Sequence, residues 1–189
     1  MPAPSTTAAT ISGASSYGSG GSGNGNFLIT GASDRFLGGL GNATVAATGN
    51  NDTIGAGSAN PGTVLNFTGG ILGTGSTNFV GYGTVNINTV AMSAATPINI
   101  NSLDGVNAPT VNIGVASPSM TGTITMRAGT LNVGVSGVGS IGGTGAITIA
   151  GGNLVVNDGT AAVANRLGGG SRAVTMQTGS SLTYNANGS

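Results

Sequence analysis

The chain has 189 residues, contains no Cys, His, Trp, Lys or Glu, and carries only four Asp and four Arg, so its formal net charge is zero. Charged residues make up 4% of it, against about a quarter in an ordinary soluble domain. This composition provides no basic surface for nucleic acid and few groups for acid, base or nucleophile chemistry. We therefore predict that the protein is not an enzyme and does not bind nucleic acid.

The first 25 residues are rich in Ser and Gly and show no alternation of apolar and polar residues. This composition is typical of flexible linkers, so we predict a flexible arm or linker over residues 1–25 and a folded domain over residues 26–189. The folded part begins with the apolar run Phe27, Leu28 and Ile29. We predict that these three residues form a half-paired first coil that packs on a neighbouring subunit.

Four later segments share one pattern: apolar, Asn or Thr, apolar, two variable residues, Gly, a spacer and Leu. The alternation has the two-residue period of a strand, the Gly permits a corner, and the Leu starts a second strand. Ile124 and Ile147, which begin two successive copies, stand 23 residues apart. Repeats of this length are typical of solenoids and propellers. The four segments are residues 65–72, 124–131, 147–154 and 174–182, the last with one extra residue before its Leu.

The repeats predict an all-β parallel β-helix, or β-solenoid, in which equivalent residues of successive coils stack at about 4.7 to 4.9 Å. Gly and Pro interrupt every candidate helix, strands of about five residues are too short for a membrane barrel, and no apolar run is long enough for a spanning helix. About 25 residues per coil gives roughly six or seven coils. The predicted inward columns are Leu65, Ile124, Ile147 and Val174, then Phe67, Met126, Ile149 and Met176, then Leu72, Leu131, Leu154 and Leu182; the predicted outward column is Asn66, Thr125, Thr148 and Thr175.

The amino-acid sequence of residues 127–133, 145–156 and 162–182 resembles the autotransporter-associated β-strand repeats of large bacterial surface proteins. The resemblance covers residues 120–189 and, more loosely, residues 63–72. It implies a right-handed parallel β-helix that is carried outside the cell as a passenger, stalk or adhesin. We therefore predict an extracellular location at the bacterial cell surface.

Residues 38–55 are similar to two calcium-binding RTX nonapeptides, whose pattern is G-G-x-G-x-D-x-U-x. The first copy has Ala43 in place of the ligand Asp, and the second keeps Asp52. Calcium takes six to eight oxygen ligands with several carboxylates, so one Asp falls short unless a neighbouring chain contributes. Asp52 is the metal-ligand candidate, and the alternative is that it caps a turn. No other cofactor is predicted.

The remaining charges indicate no catalytic cluster. Asp34 stands beside Arg35, and Asp158 lies close in sequence to Arg166. We predict surface ion pairs in loops for both, each worth up to about 1 kcal/mol.

Two non-enzymatic functions remain. The first is a self-assembling structural subunit of an extracellular fibre, sheath or layer, because an open solenoid end is a template for further strands. The second is a monomeric adhesin or glycan-binding stalk that uses the outward Thr and Asn faces, with an ice-binding face as a variant. The predicted partner is a second copy joined end to end, and cell-surface glycans are the alternative. The predicted C-terminal assembly residues are Val174, Met176, Leu182 and Tyr184.

Overall fold

The computed structural model describes residues 9–47, 51–55, 64–67, 76–88, 97–102, 104–117, 120–135, 137, 139–157, 166–168 and 170–185. Every regular element in these ranges is a strand. In chain order they are β1 (Ala9–Ile11), β2 (Tyr17–Ser19), β3 (Gly25–Ile29), β4 (Arg35–Leu37), β5 (Ala43–Ala47), β6 (Thr53–Gly55), β7 (Val64–Phe67), β8 (Thr77–Val80), β9 (Thr84–Ile87), β10 (Ile98–Ile100), β11 (Thr110–Ile113), β12 (Ala116–Ser117), β13 (Ile124–Met126), β14 (Thr130–Val133), β15 (Ser140–Ile141), β16 (Ile147–Ile149), β17 (Gly152–Asn157), β18 (Val174–Met176) and β19 (Ser180–Asn185).

The strands form two long parallel sheets, and each coil contributes one strand to each sheet. The first sheet has the order β1-β3-β5-β7-β9-β11-β14-β17-β19, and the second has the order β2-β4-β6-β8-β10-β13-β16-β18. A short parallel pair, β12 with β15, forms a separate sheet in two adjacent coils. Sequence neighbours therefore lie in different sheets, whereas hydrogen-bonded neighbours are one coil apart. The predicted all-β parallel β-helix is confirmed, and among the described residues neither long sheet closes on itself.

Equivalent residues of successive coils stack in columns that keep one residue class. In the first sheet Val111 pairs with Leu131, which pairs with Leu154, and all three are at most 1% exposed. In the second sheet Ile124 and Ile147 are paired and fully buried. The pairings of Leu131 with Leu154 and of Ile124 with Ile147 were predicted from the repeats and are confirmed. The alternating strand pattern explains them because every second side chain points into the solenoid.

The first member of three predicted columns was assigned to the wrong sheet. Leu65, Asn66 and Phe67 lie in β7 of the first sheet and pair with residues 85–87. They therefore do not stack with Ile124, Thr125 and Met126 of the second sheet. The two segments share a sequence pattern because strands of both sheets alternate in the same way. Leu72, the last residue of that repeat, lies outside the described residues.

The solenoid has more levels than the predicted six or seven, because the first sheet contains nine strands. Two of the additional strands, β1 and β2, lie in the segment predicted to be a flexible arm; residues 1–8 lie outside the described residues. The early coils are also shorter than assumed, since Ala9 pairs with Phe27, and Phe27 with Val45.

Small residues let the first level form without a large core. A Cβ atom on Gly18 would lie 2.2 Å from Cδ1 of Ile11, so the glycine leaves room for the Ile11 side chain to cross the end of the core. Composition alone therefore misidentified this segment, because its glycines and serines occupy positions in the first level of the solenoid.

The register predicts opposite effects for two adjacent substitutions. Ile147→Asp places a carboxylate at a fully buried position and should lower the free energy of unfolding on the order of 3 kcal/mol. Thr148→Asp, on the outward side of the same strand, should change it by less than about 0.5 kcal/mol. Chemical denaturation followed by circular dichroism measures both, and equal losses would contradict the register.

Candidate functional site

The last level of the solenoid carries four apolar side chains that are only partly covered. Val174 is 39%, Met176 44%, Leu182 44% and Tyr184 60% exposed, whereas Ile147, Ile149 and Leu154, which stack beneath three of them, are fully buried. We call Val174, Met176, Leu182 and Tyr184 the apolar rim. These four residues were predicted as assembly residues, and the structure places them together at one end.

The rim lies beside two strand edges that have no partner strand among the described residues. β18 pairs only with β16, and β19 only with β17. Two backbone hydrogen bonds join this strand region to β16. The Ile147 N–H donates to the Ala173 oxygen, and the Gln177 N–H donates to the Ile149 oxygen. Backbone groups alternate in direction along a strand. The backbone N–H and C=O groups of Val174 and Met176 therefore point toward the open edge. Residues 174–185 contain neither Lys nor Pro, the residues that commonly block such edges.

The N-terminal assembly residues are placed differently from the prediction. Phe27, Leu28 and Ile29 lie in β3, which pairs with β1 on one side and β5 on the other. The Phe27 ring packs against Phe36 with ring centroids 4.5 Å apart, and Ile29 is fully buried. These residues therefore form an interior strand instead of a half-paired edge.

Three stacked corners carry the most unusual local geometry. Ser15, Ser33 and Asn51 have φ values of 57°, 61° and 62°, in the left-handed region that few non-glycine residues adopt. The residue after each corner residue turns inward at the start of the second sheet. These inward residues are Ser16, Asp34 and Asp52.

Asp34 and Asp52 are buried one coil apart, each 1% exposed. Oδ1 of Asp34 accepts the Ser16 N–H at 2.7 Å, and Oδ1 of Asp52 accepts the Asp34 N–H at 3.1 Å. Oδ2 of each carboxylate has no hydrogen-bond partner. Burial raises the pKa of Asp52, the hydrogen bond from the Asp34 N–H lowers it, and the neighbouring Asp34 charge raises it further.

The predicted ion pair between Asp34 and Arg35 does not form. Arg35 is exposed and lies over the Tyr17 ring, 5.8 Å from its centroid. Consecutive residues at the start of β4 point to opposite faces, so the guanidinium is outside while the carboxylate is inside.

Asp34 is the residue that the sequence reasoning missed at this corner. The signal was an 18-residue repeat in which Gly13-Ala-Ser-Ser16 is followed by Gly31-Ala-Ser-Asp34 and Gly49-Asn-Asn-Asp52. Across the part of the chain that the structure describes, no group of three or more His, Cys, Asp or Glu side chains comes together. Among the described residues, Asp34 is therefore the one other carboxylate that could share a metal ion with Asp52.

Two other charged residues, Asp104 and Arg166, form hydrogen bonds within loops. Asp104 accepts the backbone N–H groups of Asn107 at 2.7 Å and Val106 at 3.0 Å, and these bonds, the Asn107 bond first, hold the pKa of its carboxyl well below the usual range. Arg166 donates to the carbonyl oxygens of Gly137 and Gly139, both at 2.8 Å. Its predicted partner Asp158 lies outside the described residues.

The outer face of the first sheet carries a hydrogen-bonded asparagine ladder. The side-chain Nδ2 atoms of Asn86, Asn112 and Asn132 each donate to Oδ1 of the Asn one coil earlier, at 3.2, 2.9 and 2.8 Å. The first acceptor is Asn66. The ladder fixes the side-chain orientation of four successive coils and leaves a regular polar surface.

Comparisons with known proteins identify no relative: no family model, curated protein or solved structure matches the chain. None of the residues that the structure describes belongs to a helix with the length and apolar character needed to cross a membrane.

The raised pKa of Asp52 predicts stability that falls as pH rises. The folded state holds the Asp52 proton more tightly than the unfolded state, so stability is greatest below the unfolded pKa and is lost as pH rises through the higher folded pKa. Asp52→Asn keeps an oxygen for the Asp34 N–H and removes the charge. In the presence of a metal chelator, we expect this variant to melt at a higher temperature than the parent at pH 7 and at a similar temperature at pH 3.

Asp104→Asn is the matched control, because its carboxylate is stabilised in the charged form. It should produce no gain in melting temperature at pH 7. Thermal melts at both pH values measure the effect, and a gain for Asp104→Asn equal to that for Asp52→Asn would contradict the assignment.

Proposed function

We propose that the protein is a self-assembling structural subunit of an extracellular fibre, sheath or layer at the bacterial cell surface, joined end to end through its C-terminal level. The observation that carries this proposal is the apolar rim beside the open edges of β18 and β19. A second copy of the chain would cover the rim and continue both sheets. This mode of association extends the stacking that already holds the coils together.

Magnitudes support a contact that uses both the rim and the strand edges. Full burial of a large apolar side chain contributes about 1.5 to 3 kcal/mol. More than half of the surface of Val174, Met176 and Leu182 is already buried, whereas Tyr184 is 60% exposed. Their remaining burial therefore supplies only a few kcal/mol, against an association cost of about 4 to 15 kcal/mol. Backbone pairing along two sheets must contribute the rest.

The absence of net charge favours the same contact. The formal net charge of the chain is zero, so copies do not repel each other at long range. No Asp or Arg lies between Val174 and Asn185. Association should therefore depend little on salt concentration.

The location rests on the resemblance of residues 120–189 to repeats of bacterial surface proteins. The absence of Cys is compatible with that location because the fold needs no disulfide. Export by an autotransporter route is part of what the resemblance implies for its usual members.

The alternative proposal is a monomeric adhesin or glycan-binding stalk, and the asparagine ladder favours it. Amide groups of Asn66, Asn86, Asn112 and Asn132 are held in one orientation along the axis. Glycans present hydroxyl groups that amides can both donate to and accept from. In this case the chain would remain monomeric, and the outer face of the first sheet would be the functional surface.

Charging the rim should distinguish the two proposals. In the double variant Met176→Lys/Leu182→Lys, two ammonium groups stand at the open end, where a second copy would have to desolvate them. We expect the dissociation constant for self-association to rise at least tenfold, about 1.4 kcal/mol. Sedimentation velocity over a concentration series and negative-stain electron microscopy measure association and fibre length.

Thr175→Lys/Thr183→Lys is the matched control. It adds the same charge to the same two strands, on exposed side chains of the outward face, and should associate like the parent. Equal association of the rim variant and this control, or a parent that stays monomeric at every concentration, would contradict the structural-subunit proposal and favour the adhesin.

A further inference from the structure

The first level of the solenoid also has a strand edge without a partner in each long sheet. Among the described residues, β1 pairs only with β3, and β2 only with β4. Ala9, Thr10 and Tyr17 are exposed, and 62% of the Tyr17 surface is accessible. Residues 9–19 contain no Asp or Arg. The first level is therefore uncharged, as the C-terminal level is, and a second strand can pair with either of its edges.

The hydrogen bonds of β2 show which of its backbone groups face the open edge. The Ser16 oxygen accepts an N–H from β4, and the Gly20 N–H donates to an oxygen of β4, both at 2.8 Å. Backbone groups alternate in direction along a strand. The N–H and C=O groups of Tyr17 and Ser19 therefore point toward the open edge, and these two residues flank Gly18.

The bonds between successive coils show what such groups pair with. Met176 stacks on Ile149, and the Ile149 oxygen accepts the N–H of Gln177, the residue after Met176. An inward residue thus bonds to the residues that flank its stacked partner in the next coil. Gly18 begins the column that ends at Met176. If a second copy continued this column, the open backbone groups of Met176 would meet those of the two residues beside Gly18.

We propose that the first level, formed by β1 and β2, is the surface that receives the C-terminal level of a second copy. This inference rests on the proposed function and adds the surface that covers the apolar rim. The contact is head-to-tail with parallel strands, so each junction repeats the backbone bonds of an internal coil. Thr175 of one copy then stacks on Tyr17 of the next, because these residues end and begin one outward column.

Engineered cysteines test this register directly, because the chain has no Cys of its own. Stacked residues lie about 4.7 to 4.9 Å apart, within the range of Cα separations that a disulfide spans. A mixture of the single variants Tyr17→Cys and Thr175→Cys should therefore give a covalent dimer of the two chains on oxidation. Intact-mass spectrometry distinguishes this mixed dimer from dimers of one variant.

Thr148→Cys is the matched control for the register. Thr148 lies on the same outward column one coil deeper, so its Cα would be about 9.5 Å from that of residue 17 in the next copy. This separation is too long for a disulfide. The mixture of Thr148→Cys with Tyr17→Cys should give at least tenfold less mixed dimer.

Ala9→Lys should weaken association without any covalent trap. Ala9 begins the column that ends at Tyr184, so a Tyr184 side chain that covered it would have to desolvate the ammonium group. We expect the dissociation constant for self-association to rise at least tenfold. Thr44→Lys adds the same charge to the outer face of the same sheet, two coils from the first level, and should associate like the parent.

A mixture of two blocked chains separates this inference from the proposed function. Ala9→Lys keeps its C-terminal level, and the rim variant Met176→Lys/Leu182→Lys keeps its first level. At a concentration where the parent forms fibres, each variant alone should be monomeric, and their mixture should form a heterodimer that grows no further. Sedimentation velocity measures all three samples, and circular dichroism verifies that both variants are folded.

Homodimers of Ala9→Lys would show a tail-to-tail contact and overturn this inference, while the structural-subunit proposal would stand. The inference also fails if Ala9→Lys associates as strongly as Thr44→Lys, or if Thr148→Cys and Thr175→Cys cross-link equally well to Tyr17→Cys. A parent that stays monomeric at every concentration would overturn both proposals.

Discussion

Registered stacking of coils is the constraint on which the whole structure depends. Individual strands contain only two to six residues, too few to be stable alone. Each strand is held by its equivalents one coil before and one coil after, at about 4.7 to 4.9 Å. The nearest neighbours of a residue across the sheet are therefore the equivalent residues of the adjacent coils. This is why Val111, Leu131 and Leu154 form a continuous column of apolar side chains.

The same stacking makes donor and acceptor chemistry decisive for polar residues. An amide both donates and accepts, so the asparagines at positions 86, 112 and 132 satisfy one another along the outer face. A carboxylate only accepts, so stacking Asp34 on Asp52 leaves an oxygen of each without a partner. Two stacked columns of polar residues thus have opposite consequences. The first is a stabilising ladder, and the second brings two buried carboxylates close together.

The sequence predicted the architecture best where coils are similar in length and apolar in both strands. The segments beginning at Ile124, Ile147 and Val174 were placed in register because their pattern is complete and they pair directly. Leu65 was assigned to the wrong sheet, since the period of two is common to both sheets and coil length is variable. Residues 9–25 were mistaken for a linker because stacking there depends on small residues and on corner geometry. The same corner repeat contains Asp34, which hydrophobic periodicity cannot detect.

The first and last described levels of the solenoid differ in residue size along two columns. The column that begins at Ala9 in β1 ends at Tyr184 in β19, and the column that begins at Gly18 in β2 ends at Met176 in β18. In a head-to-tail contact, the large end of each column would meet the small beginning of the same column in the next copy. In a tail-to-tail contact, two large ends would meet instead. Size complementarity therefore favours the head-to-tail arrangement, and such a heterologous contact generates an open filament unless its rotation closes a ring.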